Sequence, residues 1–161
     1  MPIRNLWSLE CGEVLTAETL LENISDVEVY FQLHDTGIGL LVVKGKKHIS
    51  IQVKESRYFS LRGGHSWHQI HKRKFVRDKG KVDFYIFLTY LPKFGEHKLA
   101  SFENKFIIIP TKKLDKIIEK KPSGKKEIYS FYFNFEGKKI TEIRDAPTDY
   151  SEFLNRWDLI K

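Results

Sequence analysis

The segment VDFYIFLTYL, residues 82–91, constrains the fold more than any other stretch of this 161-residue chain. After Asp83 its apolar and aromatic residues follow one another with no period-2 alternation, so a strand built from it has no face suited to water. It must lie in the middle of a sheet that is covered on both sides. The surrounding sequence offers the cover. Residues 16–24 read as a short helix with Thr16 as N-cap and Val14, Ala17, Leu20, Leu21 and Ile24 on one apolar face. Val27, Val29, Phe31 and Leu33 alternate with Glu28, Tyr30 and Gln32, as in a half-buried strand. GIGLLVV and HISIQVK, joined through a Gly-Lys turn, read as an antiparallel hairpin.

Farther on, KFIIIP is a strand ended by Pro110, and Thr111 can cap a helix through Leu114, Ile117 and Ile118 to Lys121. IYSFYFNF and KITEI form a second hairpin around Glu136-Gly137-Lys138, and residues 150–159 form a last helix presenting Phe153, Leu154 and Trp157. The expectation is an α/β fold, a mixed central sheet flanked by helices. One domain over 1–161 is expected, with a core at about 14–121 and the last hairpin and helix at 122–161.

Composition narrows the class. No apolar run approaches the ~20 residues of a membrane helix, and MPIRNLWSLE lacks the order of a signal peptide. The single cysteine, Cys11, excludes an internal disulfide and an all-cysteine metal cage; the expected compartment is a reducing cytoplasm. There is no phosphate-cradling Gly-rich loop and no G-x-S-x-G. The net charge is +7, and it is localised: residues 57–81 hold eight basic side chains against one acid, Asp78, which accounts for the whole excess. A concentrated positive segment calls for a polyanionic partner.

In HISIQVK, Ile49, Ile51 and Val53 face one way, and His48, Ser50, Gln52 and Lys54 the other. Gln52 and Lys54 thus stand side by side at the end of a strand, where an amide and an ammonium are costly without partners or work to do. Helix, strand, hairpin ending in Q-V-K, then helix and strand resembles the PD-(D/E)XK nuclease superfamily, the restriction-endonuclease-like fold. The resemblance spans roughly residues 16–91 and is closest through GIGLLVVKGKKHISIQVK. It implies an α-β-β-β-α-β core and a DNA endonuclease that hydrolyses phosphodiesters with Mg²⁺, Mn²⁺ substituting. Gln52 takes the first position of the motif and offers its carbonyl, and Lys54 is the lysine that assists the attacking water. The partner implied is double-stranded or branched DNA, cut by a homodimer or higher homo-oligomer.

One position departs from the pattern. With the turn at Gly45-Lys46, Lys44 pairs with Lys47 and Gln52 lies opposite Gly39, where the superfamily would carry an Asp ligand. Asp35, the nearest acid on that face, is four residues away, about 13 Å along an extended strand. Either the enzyme is inactivated, or Asp35 has moved into the role through a bend at Thr36-Gly37. Glu18, bordering the apolar face of the first helix, is the further ligand that the resemblance implies, with Asp35 and Gln52 completing the metal set.

The segment after the motif supplies the DNA contacts expected: Arg57, Arg62, His65, Trp67, His68, His71, Lys72, Arg73, Lys74 and Arg77. Cations neutralise phosphates and Trp67 stacks or wedges against a base. A zinc site on the three histidines lacks a neighbouring cysteine or carboxylate. Gly63-Gly64 would let the segment swing as a clamp. The alternative to the nuclease is a catalytically silent DNA-binding module of the same fold, with an RNA-binding or assembly role as a third option.

Overall fold

The computed structural model describes residues 11–32, 36–56, 64–96, 98–121 and 127–161. Among the described residues, two sheets and three α-helices make up the fold. The first sheet, in the order β1-β2-β3-β5-β6, contains β1 (Glu28–Phe31), β2 (Leu40–Lys44), β3 (Lys47–Glu55), β5 (Phe84–Phe94) and β6 (Leu99–Pro110). It is mixed: β3 and β5 run parallel, and every other pairing is antiparallel. The second sheet is antiparallel, in the order β4-β7-β8-β9, from β4 (His65–His71), β7 (Ile128–Glu136), β8 (Lys139–Glu142) and β9 (Thr148–Asp149).

The unbroken apolar run is the central strand that its composition demands. On one face of β5, Ile86 and Leu88 join Leu40, Val42, Ile51 and Val53 in a core closed by α1 (Cys11–Asn23). On the other, Tyr85 and Phe87 meet Phe131 and Phe133 of β7, with Leu114 and Ile118 of α3 (Thr111–Glu119) alongside. So the expected cover of helices is half right: the second layer is largely another sheet. The late hairpin supplies its middle strands.

Several local expectations are corrected. Helix α1 starts at Cys11, and Glu13, Thr16, Ala17 and Leu20 face inward, whereas Val14 and Leu21 are exposed. The wheel is rotated because Thr16 is buried without cost: its hydroxyl donates to the Gly12 carbonyl (2.6 Å) within the helix instead of capping it. β1 is a short edge strand with Tyr30 and Phe31 exposed, and Leu33 lies outside the described residues. Thr111 begins α3 but forms no side-chain cap. In place of a final helix, residues 151–153 and 157–159 form separate 3₁₀ turns, with the left-handed Asn155 (φ 51°) between them. Phe153 and Trp157 are buried all the same.

The largest correction concerns residues 65–71, expected as a swinging basic segment. They form β4, paired residue for residue with β7 from His65↔Asn134 to His71↔Ile128. α2 (Lys72–Asp78) follows directly. The inward face of β4 is Ser66, His68 and Ile70, two of them polar, so hydropathy alternation does not reveal the strand.

Phe87 is fully buried where the layers meet, its ring 5.2 Å from both His68 and Phe131 and 5.7 Å from Phe133. Phe87→Ala should cost about 3–5 kcal/mol, the range for truncating a buried aromatic. A urea titration reads this directly, and a loss below ~1 kcal/mol would mean that the two layers do not share this core.

Candidate functional site

The β2–β3 hairpin aligns the motif. Gly45 adopts φ +58°, which the tight turn requires. The ladder then runs from Lys44↔Lys47 to Leu40↔Ile51, and the Gly39 N–H donates to the Ile51 carbonyl (2.9 Å). That bond is one residue out of the ladder's register, so regular pairing stops at Leu40↔Ile51, and Gly39, expected opposite Gln52, lies just before β2.

On β3, Gln52 and Lys54 sit beside Tyr85 and Phe87 of β5 in the parallel register. Their face looks toward α2, and a cavity lies between. Gln52, Lys54 and Tyr85 form one wall, while His71, Lys74, Arg77 and Asp78 form the other. The Gln52 amide nitrogen donates to the Val53 carbonyl (3.2 Å), which leaves its side-chain oxygen as the group to offer. Burial, helped by the Asp78 carboxylate, raises the Tyr85 hydroxyl well above its usual range, so this phenol stays protonated.

Asp78 is buried and held by a two-point contact from Arg77, Nε to Oδ1 at 2.7 Å and Nη2 to Oδ2 at 2.9 Å. Its carboxylate presses on Gly37, where a Cβ would stand 2.2 Å from Oδ2 and where φ is +85°. Gly37 therefore serves two needs at once, a left-handed backbone and a close approach.

An acid beside Gly39 is one that sequence reasoning missed. Glu13, only 6% exposed, leaves the first turn of α1 and reaches Gly39, where a Cβ would meet its Oε1 at 2.6 Å. The Glu13 carboxylate thus fills space that a side chain at position 39 would need. Glu18, expected in this role, is exposed on the outer side of α1. The spacing of Glu13 from Ala17, Leu20 and Ile24 carries the signal, but a glutamate in a first turn also reads as a simple match to the helix dipole. Asp35 lies outside the described residues. Nearby, Glu55 accepts from the Tyr90 hydroxyl (2.6 Å), and its Oε2 is buried with no hydrogen-bond partner among the described residues.

Among the described residues no group of three or more His, Cys, Asp or Glu side chains is arranged to hold a metal. Mg²⁺ does not demand such a cage: it retains several waters and uses one or two carboxylates with substrate phosphate. The Glu13 carboxylate, on α1, and the Gln52 carbonyl, on the α2-facing side of β3, are each donors of that hard-oxygen kind.

Of the expected DNA contacts, His71, Lys74 and Arg77 line the cavity, and Arg73 is exposed beside Glu127 (3.5 Å). Lys72 is half-buried, Trp67 is exposed and His65 packs on Tyr132. Arg57 and Arg62 lie outside the described residues. The strand geometry also separates the three histidines, putting His68 on the face opposite His65 and His71.

His68 is not a DNA contact. It is 2% exposed, and its Nδ1–H donates to the Lys54 carbonyl at 2.9 Å. Its Nε2 then accepts from the Ser66 and Thr89 hydroxyls at 3.2 and 3.1 Å. With Trp67 N–H donating to Ser56 Oγ (3.1 Å), this ties β4 to the end of β3 beneath the motif.

The chain matches no family model, no curated protein and no solved structure. Among the described residues no helix is long and apolar enough to cross a membrane.

Burial pushes the His68 imidazole down to about 3, against the pull of its bond to Lys54. Its folded value lies below its unfolded value of about 6.5. Between those values the unfolded chain takes up a proton that the folded chain refuses. Stability should fall as the pH drops from 6.5 toward 3, by up to ~1.4 kcal/mol per unit, and this contribution should be constant above 6.5. Urea midpoints across pH 4–8 for the native chain and His68→Asn check this; equal slopes in both would refute it.

Proposed function

We propose that this protein is a Mg²⁺-dependent DNA endonuclease of the restriction-endonuclease-like class, with its site at the end of β3. The observation that carries the reading is the Glu13 carboxylate in the space beside Gly39, whose N–H reaches the carbonyl of Ile51, the neighbour of Gln52. It returns an acid to the one position where the motif lacks one. The order α1-β1-β2-β3, then α2-β5, supports the class, with β4 as an addition before α2.

In this reading a phosphodiester enters the cavity between β3 and α2. Lys74 and His71 meet its non-bridging oxygens from the α2 side, and Lys54 meets the attacked phosphate from β3. The Lys54 ammonium orients the incoming water and stabilises the charge that builds on the phosphate oxygens. Glu13 and the Gln52 carbonyl would hold Mg²⁺, which when bound lowers the pKa of a coordinated water and neutralises phosphate charge. Tyr85, kept protonated, can donate a hydrogen bond within the cavity.

The bare Gly39 favours a second reading, a module that binds DNA and no longer cuts it. Cleavage of supercoiled plasmid in Mg²⁺ or Mn²⁺ separates the two. The nuclease reading expects cutting by the native chain and a loss of about 10²-fold or more in both Lys54→Ala and Glu13→Gln. Salt-sensitive binding without cleavage, with cutting gained only in Gly39→Asp, establishes the silent module. No DNA binding at all removes both.

A further inference from the structure

We propose that the outward face of the β4–β7 pair is a stacking platform for unpaired bases, so that the preferred substrate is DNA with single-stranded character, such as a flap or branch. This rests on the nucleic-acid reading above and names its substrate class. Trp67 is 45% exposed on this face and lies opposite Tyr132 in the ladder. The His65 ring sits 5.6 Å from Tyr132, tilted by 31°. Three ring systems therefore share one patch of a flat, hydrogen-bonded surface. Gln69 and Ser130 pair in the next outward row, so base edges would find an amide and a hydroxyl beside the rings; Asn134, opposite His65, donates its amide to Glu136 (2.9 Å).

Charge placement favours nucleic acid over a protein as the occupant. Neither β4 nor the paired part of β7, residues 128–134, contains an Asp, Glu, Lys or Arg. The positive charge begins where β4 ends, with Lys72, Arg73 and Lys74 opening α2. A single strand matches this division, with bases on the neutral aromatic face and phosphates along the cationic helix. His71 belongs to both regions: it is outward on β4 and lines the cavity that holds Lys54. Trp67 and His71 are four residues apart on one face, about 13 Å along the strand. An intact duplex keeps its base faces stacked internally and cannot use the rings. The inward anchors of β4, His68 and Ser66, hold the platform rigid, so little ordering is needed on binding.

The test uses the full chain and three labelled probes: oligo-dT, a blunt duplex, and that duplex with a single-stranded flap. The native protein should prefer flap over blunt duplex. Trp67→Ala should reduce that preference by about 5- to 150-fold, the range for losing one base–aromatic stack, and Trp67→Phe should restore much of it. Oligo-dT should quench native tryptophan emission more than that of Trp67→Phe. Lys74→Ala should weaken all three probes in a salt-dependent manner.

If Lys74→Ala weakens binding while Trp67→Ala leaves the flap preference intact, the platform is wrong and the nucleic-acid reading stands. If no probe binds, both fall. A change in the solution mass of the free protein on Trp67→Ala would assign this face to a second copy and overturn the proposal.

Discussion

The parallel pairing of β3 with β5 is the constraint on which the rest depends. Antiparallel neighbours can be joined by a two-residue turn, but parallel neighbours require the chain to leave the sheet and return to the end where it began. Residues 56–83 make that return. They carry β4 into a second sheet, then α2, which is set over the face of Gln52 and Lys54. The landing is pinned at its far end: Asp83 Oδ2 accepts from the Ser50 backbone N–H at 2.8 Å and from the Ser50 hydroxyl at 2.9 Å. Asp83 N–H in turn donates to the Ser50 carbonyl (2.9 Å). Without this pairing the basic segment and the Q-x-K strand would have no reason to face each other.

The crossover must also be held down. Polar groups do this at one end, where His68 and Ser56 join β4 to β3, and apolar rings do it in the middle, where Phe87 meets β7. At the far side of the second sheet, Lys121 is buried beneath the same layer. It contacts Glu142 at 3.0 Å and Asp145 at 2.7 Å, and lies 4.6 Å from the centre of the Phe131 ring. Glu142 also accepts from the N–H groups of Tyr132 and Arg144, so this buried charge is matched from several directions. Such an arrangement costs desolvation but admits only one seating of the strand, since an unpaired charge here would be expensive.

Where period and hydropathy agree, the sequence is easily read. The hairpin register follows from Gly45 and the β-branched runs on either side, and the central strand from its unbroken apolar side chains. The site is harder. Lys54 and Gln52 are visible because alternation assigns both to one face. Glu13 is hidden because Val14 and Leu21 are apolar yet exposed, which turns the apparent helix face away from the true one. β4 is hidden because its buried positions include a serine and a histidine, which bond to each other and, through His68, to Lys54 and Thr89 far away in the chain.

By itself, then, the sequence determined a mixed α/β fold, the pairing of β2 with β3, and the side-by-side Gln52 and Lys54, all products of short-range periodicity and turn chemistry. Only the tertiary structure decided which acid meets Gly39, that His68 is a neutral internal tie, and that residues 65–78 are a strand and helix beside the motif. Those outcomes depend on hydrogen bonds and close approaches between segments far apart in the chain, and no local pattern records such contacts.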